Sequence, residues 1–303
     1  MSKIKTKVSR EANFIYHMLS VSKCGYDNEY GQKYSSMHKA DDLKILKDNE
    51  KMITVKGGEH VGELYTFFVA IPASLDAEAA GYYKSLKNIF EAGDIDENLN
   101  QYVSLYSELL YTDLDKTTEI FMRLKPQLLA MSNIMISNYD IYCSKIWEKS
   151  REELQAYSNG IQKAFENDNI CSKLEKLTGI SLGYDFIASF CNSLSGGAEA
   201  IDISNTQDIF GIGRNYEWAK KFISHEYVIF LFKKSFPKSL FTLQNWKCIE
   251  SLAEFYLKQT IGLDLEYFED LKDIIVFYEE ECKLSPNVTA LELFDKATRI
   301  YAV

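Results

Sequence analysis

The sequence predicts a mainly α protein with one small β-sheet, an α+β chain. Apolar residues recur at helical spacing through most of the 303 residues. Only 4 prolines interrupt them, so long helices meet few breakers. Between Leu182 and Ile212 the texture changes to alternation and short apolar runs, as in half-buried strands. Aromatic residues make up 14% of the chain and supply ample core material.

In chain order, Phe14, Ile15, Met18, Leu19 and Val21 place a helix over 12–23, which Gly25 stops in the left-handed region. The polar and aromatic stretch 27–34 reads as a surface loop. Residues 52–55 read as a short strand and Gly57-Gly58 as a turn. The run 64–71 has the residue types of a strand and is closed by Pro72, but periodicity leaves it open between strand and buried helix. Helices follow over 76–90, 98–111 and 117–135, the last with Pro126 expected to kink or divide it. Residues 137–164 make one long helix or two, and 173–177 completes a helical N-terminal region, 1–180. A second region, 181–303, opens with strands at 182–190, 198–203 and 209–212, with Ser195-Gly196-Gly197 as a turn. Its helices are expected at 217–235, 242–261, 265–283 and 289–301, and Thr289 with Glu292 gives the last one a capping box.

A net charge of −10 is set against a general nucleic-acid role, because phosphate binding needs a basic surface. The strongest apolar runs, 64–71 and 227–232, fall well short of the roughly 20 residues of a membrane helix. The basic N-terminus has no apolar stretch behind it of the kind an export signal carries. The cysteines are scattered without a Cys-x-x-Cys pair, so the expectation is free thiols in a cytoplasmic protein rather than a zinc ribbon. There is no Gly-x-Ser-x-Gly elbow, and Gly211-Ile212-Gly213 lacks the Lys-Ser/Thr element of a phosphate loop.

Chemistry concentrates in the second region. His225-Glu226 lies on one predicted helix, and Glu250-Ser251-Leu252-Ala253-Glu254-Phe255 on the next. Gly196-Gly197-Ala198-Glu199-Ala200 precedes both on a predicted strand. In this order they resemble the gluzincin metallopeptidases, the thermolysin-like and aminopeptidase-like zinc enzymes. The motif of that family is His-Glu-x-x-His, with a glutamate on the following helix as third zinc ligand. Histidines four apart share a helix face and reach one metal, and the glutamate beside them deprotonates its water.

The resemblance implies His225 as the first zinc ligand, Glu226 as general base, and Glu250, twenty-five residues beyond His225, as the other ligand. Glu254 is implied as the acidic residue that holds a ligating histidine. Gly197, Ala198 and Glu199 are similar to the edge strand that binds peptide substrate, without its Met and Asn. The resemblance covers about residues 180–262 and implies a zincin-like C-terminal half. It departs from the family at Ile229, which stands where the second histidine belongs and ligates no metal. The implied protein is a degenerate metallopeptidase homologue whose zinc binding and peptidase activity are weak or lost. A peptide- or protein-binding pseudoenzyme and a helical interaction protein without catalysis remain as alternatives. Elsewhere, His17, His38 and His60 read as surface or core histidines. Tyr256, Tyr267 and Tyr278 include a candidate oxyanion donor but read first as helix packing. Lys233, Lys234 and Lys238 read as the solvated end of a helix, and Cys248 has no histidine nearby in sequence to activate it.

Overall fold

The computed structural model describes residues 2–56, 60–92, 114–166, 168–194, 200–262 and 271–302. The chain is mainly helical, with a small four-stranded sheet and a two-stranded ribbon. It divides into two compact units, one formed by residues 7–158 and 189–213 and the other by 1–6, 159–188 and 214–303. Among the described residues no helix is long and apolar enough to cross a membrane. Residues 57–58, 98–111 and 195–197, expected as turn, helix and turn, lie outside the described residues.

The first unit is built around α1 (Arg10–Val21). Ser9 caps this helix by accepting from the amide of Ala12, and nearly all its residues are buried. Packed on it are α2 (Glu29–Tyr34), α3 (Ala40–Asp48), α5 (Ile71–Ser74), α6 (Ala79–Ala92) and α7 (Leu114–Tyr142). The short α4 (Glu50–Ile53) leads into an antiparallel ribbon of β2 (Val55–Lys56) and β3 (His60–Val61). The Phe14 and Tyr139 rings meet edge-on at 5.1 Å, and Phe67 meets Phe121 at 4.9 Å. The buried Glu11 carboxylate accepts from the Tyr139 hydroxyl at 2.9 Å and from the amide of Ala79 at 2.7 Å, at the start of α6.

Several expectations for this unit need correction. Residues 27–34 do not simply loop. Asn28 accepts from the Gly31 amide and caps α2, and Gly31 has no side chain to hold α2 away from α1. Residues 50–53 form a helical turn, so the strand starts only at Val55. The run 64–71, open between strand and buried helix in the sequence, is helical: residues Thr66–Ala70 form a π-turn that passes straight into α5. The wide turn bonds the Ile71 amide to the Thr66 carbonyl, and Pro72 has no amide to give. The carbonyls freed in this way accept instead from tyrosines of α6, Phe67 from Tyr82 at 2.6 Å and Phe68 from Tyr83 at 2.7 Å. Nor does Pro126 divide α7, which runs unbroken from Leu114 to Tyr142. The carbonyl that Pro126 leaves without a donor belongs to Met122, which is 56% exposed, so water can serve it. Residues 137–164 resolve into two helices, α7 and α8 (Glu148–Glu166), joined by a π-turn at Cys143–Trp147.

The four-stranded sheet has the order β1 (Ile4–Lys7), β4 (Phe186–Cys191), β6 (Gln207–Gly211), β5 (Ala200–Ser204). The last two form an antiparallel hairpin with Ile201 opposite Ile209 and a bulge between Asp202 and Ser204. The expected strand 182–190 begins only at Phe186, because Gly183 turns the chain at φ 79° just before it.

In the second unit Phe186 accepts the chain end, its amide donating to the Lys3 carbonyl at 2.9 Å. Helix α9 (Ile170–Thr178) ends at Gly179, whose φ is 71°. Next come α10 (Tyr216–Ser235), α11 (Trp246–Ile261), α12 (Lys272–Leu284) and α13 (Ala290–Tyr301). Helix α11 is central and packs on α9, α10, α12 and α13. The Phe186 and Phe230 rings lie 4.8 Å apart, and Phe236 bridges Phe232 and Phe294 at 5.0 and 5.6 Å. Each such ring, fully buried, contributes about 1.5–3 kcal/mol. Helix α11 starts later than expected because residues Leu243–Asn245 form a 3-10 turn before it. The capping box of α13 forms, with both the Glu292 amide and the Thr289 amide bonded to the opposite side chain.

Candidate functional site

The His225–Glu250 pair lies where α10 packs on α11, inside the second unit. The Asn215 side chain caps α10 by accepting from the Trp218 amide at 2.8 Å, and Glu217 in the first turn suits the helix dipole. The helix is buried along Tyr227–Phe232, and Lys233 and Lys234 are exposed at its end. Lys234 nevertheless donates to the Leu182 carbonyl and sits 4.8 Å from the Tyr184 ring. Helix α11 is closed by Gly262 at φ 67°. It is fixed from α12 by the Tyr278 hydroxyl, which donates to the Cys248 carbonyl at 2.9 Å.

This packing brings two of the sequence-derived site residues into direct contact. His225 Nε2 lies 2.8 Å from Glu250 Oε2, with the imidazole 0% exposed and the carboxylate side chain 15% exposed. Burial by itself lowers the imidazole pKa. The hydrogen bond to Glu250 and the charges of Glu250, Glu226 and Glu254 outweigh it and push His225 up to about 9. Glu226 is half-buried beside His225, and Glu254 is buried one turn beyond Glu250. Ile229, one turn after His225 on the same face, is buried.

The chemistry of this set is that of an ion pair. Two nitrogen or oxygen ligands of one tetrahedral zinc, each at 2.0–2.2 Å, stand roughly 3.3 Å apart. At 2.8 Å, His225 and Glu250 are hydrogen-bonded to each other, closer than two ligands that share a zinc. Among the described residues no group of three His, Cys, Asp or Glu is placed to hold a metal. Gly197, Ala198 and Glu199 lie outside the described residues, as does Tyr267. The Tyr278 hydroxyl serves helix packing, and Tyr256 is buried against Phe232 and Phe255. Burial pushes the Cys248 thiol up to about 11, away from nucleophilic use.

Sequence reasoning took His17 and His38 one at a time, and the structure brings them together in the first unit at 2.9 Å. No spacing rule in the sequence signals a pair twenty-one residues apart on separate elements. Of His60 only the backbone, in β3, is described. No family model, no curated protein and no solved structure matches the chain.

Proposed function

We propose that this chain is a degenerate gluzincin-like metallopeptidase homologue in which the ancestral zinc pair has become a structural ion pair, with zinc binding and peptidase activity weak or lost. The observation that carries this reading is the direct bond from His225 to Glu250 at 2.8 Å, with a buried Ile229 four residues along the helix from His225. Glu226, the residue that would activate a metal-bound water, has no metal-ligand triad beside it among the described residues. The partner class that remains is a peptide or protein. The free state of all six cysteines suits a reducing compartment, and we place the protein in the cytoplasm on that ground.

Calorimetric zinc titration of the wild type and of Ile229→His tests the reading. The wild type is expected to bind no stoichiometric zinc. The variant supplies the missing imidazole, and a third ligand is expected to raise zinc affinity at least about tenfold. One tightly held zinc per wild-type chain overturns the loss of the metal. No gain in a folded variant counts against gluzincin descent.

A further inference from the structure

The first unit holds a buried chain of polar side chains on four elements. His17 of α1 contacts the Tyr30 hydroxyl of α2 through Nδ1 at 2.9 Å and His38 Nε2 through its own Nε2 at 2.9 Å. His38 precedes α3, and its Nδ1 contacts Asn138 Oδ1 of α7 at 2.8 Å. The Asn138 amide donates to the Ile134 carbonyl at 2.9 Å and to Asp42 Oδ2 at 3.2 Å, so its orientation is fixed. His17 is 0% and His38 8% exposed.

Proton counting gives this chain one direction. Asn138 Oδ1 only accepts, so His38 carries its proton on Nδ1 and presents a bare Nε2. His17 must then donate from Nε2, which leaves its Nδ1 to accept from the Tyr30 hydroxyl. One added proton fits if the Tyr30 hydroxyl turns from donor to acceptor, and the two Nε2 atoms share the proton between them. A second added proton sets two N–H groups face to face at 2.9 Å, with two positive charges on buried rings.

We propose that the His17–His38 pair is an acid-operated latch, which holds α2 and the following segment to His38 against α1 and α7 at neutral pH and releases them in acid. The segment is the movable partner. It is a six-residue helix and a 3-10 turn, whereas α1 is buried on nearly every residue and α7 runs for 29 residues. The groups facing the pair leave it little compensation. They are Tyr30 and Tyr34 from α2, with Lys33 over the Tyr34 ring, Tyr142 from α7, Cys191 of β4 near Tyr30, and Asp42 from α3. Among the described residues that face the pair, only Asp42 carries a carboxylate, and it reaches His38 across Asn138. Burial and the neighbouring His38 hold His17 well below the ordinary imidazole range. Burial lowers His38 too, against the bond to Asn138 and the charge of Asp42. Among the described residues no third His, Cys, Asp or Glu joins the pair as a metal site would require.

The test is hydrogen exchange of the full chain between pH 7.5 and 5, corrected for intrinsic rates, with nitrogen NMR of the histidines. The expected tautomers at pH 7.5 are Nε2–H for His17 and Nδ1–H for His38. Below about pH 6 the opening of residues 28–38 is expected to grow at least about tenfold per pH unit, while amides of Lys272–Leu284 do not follow. Tyr30→Phe removes the hydroxyl that absorbs the first proton, so it is expected to promote opening several-fold more at pH 5.5 than at pH 7.5. The latch is overturned if both rings titrate near 6.5 like free imidazoles, or if residues 28–38 open no more steeply than the α12 control. An equal effect of Tyr30→Phe at both pH values also counts against it.

Discussion

At His225 two opposing influences meet, and the balance decides its charge. Burial disfavours the imidazolium, while Glu250 at 2.8 Å, helped by Glu226 and Glu254, favours it more strongly. The folded pKa therefore rises above the unfolded value near 6.5. The stabilisation is fully present below 6.5 and is lost as pH rises through about 9. Glu250→Gln is expected to cost about 1.5–3 kcal/mol at pH 7, the worth of a hydrogen bond to a charged group. Near pH 10 the wild-type ring is neutral too, and the difference is expected to shrink to within a few tenths. Urea denaturation of both proteins at the two pH values measures this. An equal loss at both pH values would mean that Glu250 acts by packing and not through the charge on His225.

On the scale of single elements, two close fits decide the first unit. The π-turn at Thr66–Ala70 depends on tyrosines of α6 to satisfy carbonyls that its wide turn and Pro72 leave open. Tyr83→Phe keeps the ring but orphans the Phe68 carbonyl in the core, an expected loss of about 1–3 kcal/mol. Thermal denaturation reads it, and a neutral result would show that the carbonyl finds another donor. The seat of α2 on α1 is equally tight. A Cβ on Gly31 would lie 2.3 Å from the Ser20 carbonyl oxygen, which is backbone and does not swing away. Gly31→Ala is expected to destabilise by about 1–3 kcal/mol through overpacking, despite the better helix propensity of alanine. Exchange of the α2 amides should rise with it. Unchanged exchange would mean that α2 is not held at this contact.

For the whole molecule the buried histidines set opposite pH limits. His17 and His38 are held below the unfolded value, so the folded state gains stability as pH rises to about 6.5 and loses it below that. His225 is held above it, so stability falls as pH rises through about 9. Chemical denaturation across pH 5–10 is expected to show a maximum near pH 6.5, with stability falling in acid and falling again as pH rises from there through about 9. Glu250→Gln should flatten only the alkaline side, and Tyr30→Phe should steepen only the acid side. A steady rise across the range would contradict the assignment of His225, and a steady fall that of His17 and His38.

Much of the helical framework is written locally in the chain. Phe14, Ile15, Met18 and Leu19 repeat at helical spacing and mark α1, Gly179 and Gly262 end helices, and Thr289 with Glu292 starts α13. These signals act within about one turn of helix, so sequence alone reads them. The spacing of His225 and Glu250 also pointed to two neighbouring helices, and their packing places the two side chains in contact. What only the tertiary structure decided rests on partners distant in sequence. Tyr82 and Tyr83 turn the strand-like run 64–71 into helix, and Gly31 seats as a helix a stretch that reads as loop. His17, His38 and Asn138 become one proton-ordered chain only once α1, the segment before α3 and α7 have met. No local pattern encodes such a meeting, because a hydrogen bond between buried groups is fixed by the packing that excludes water around it.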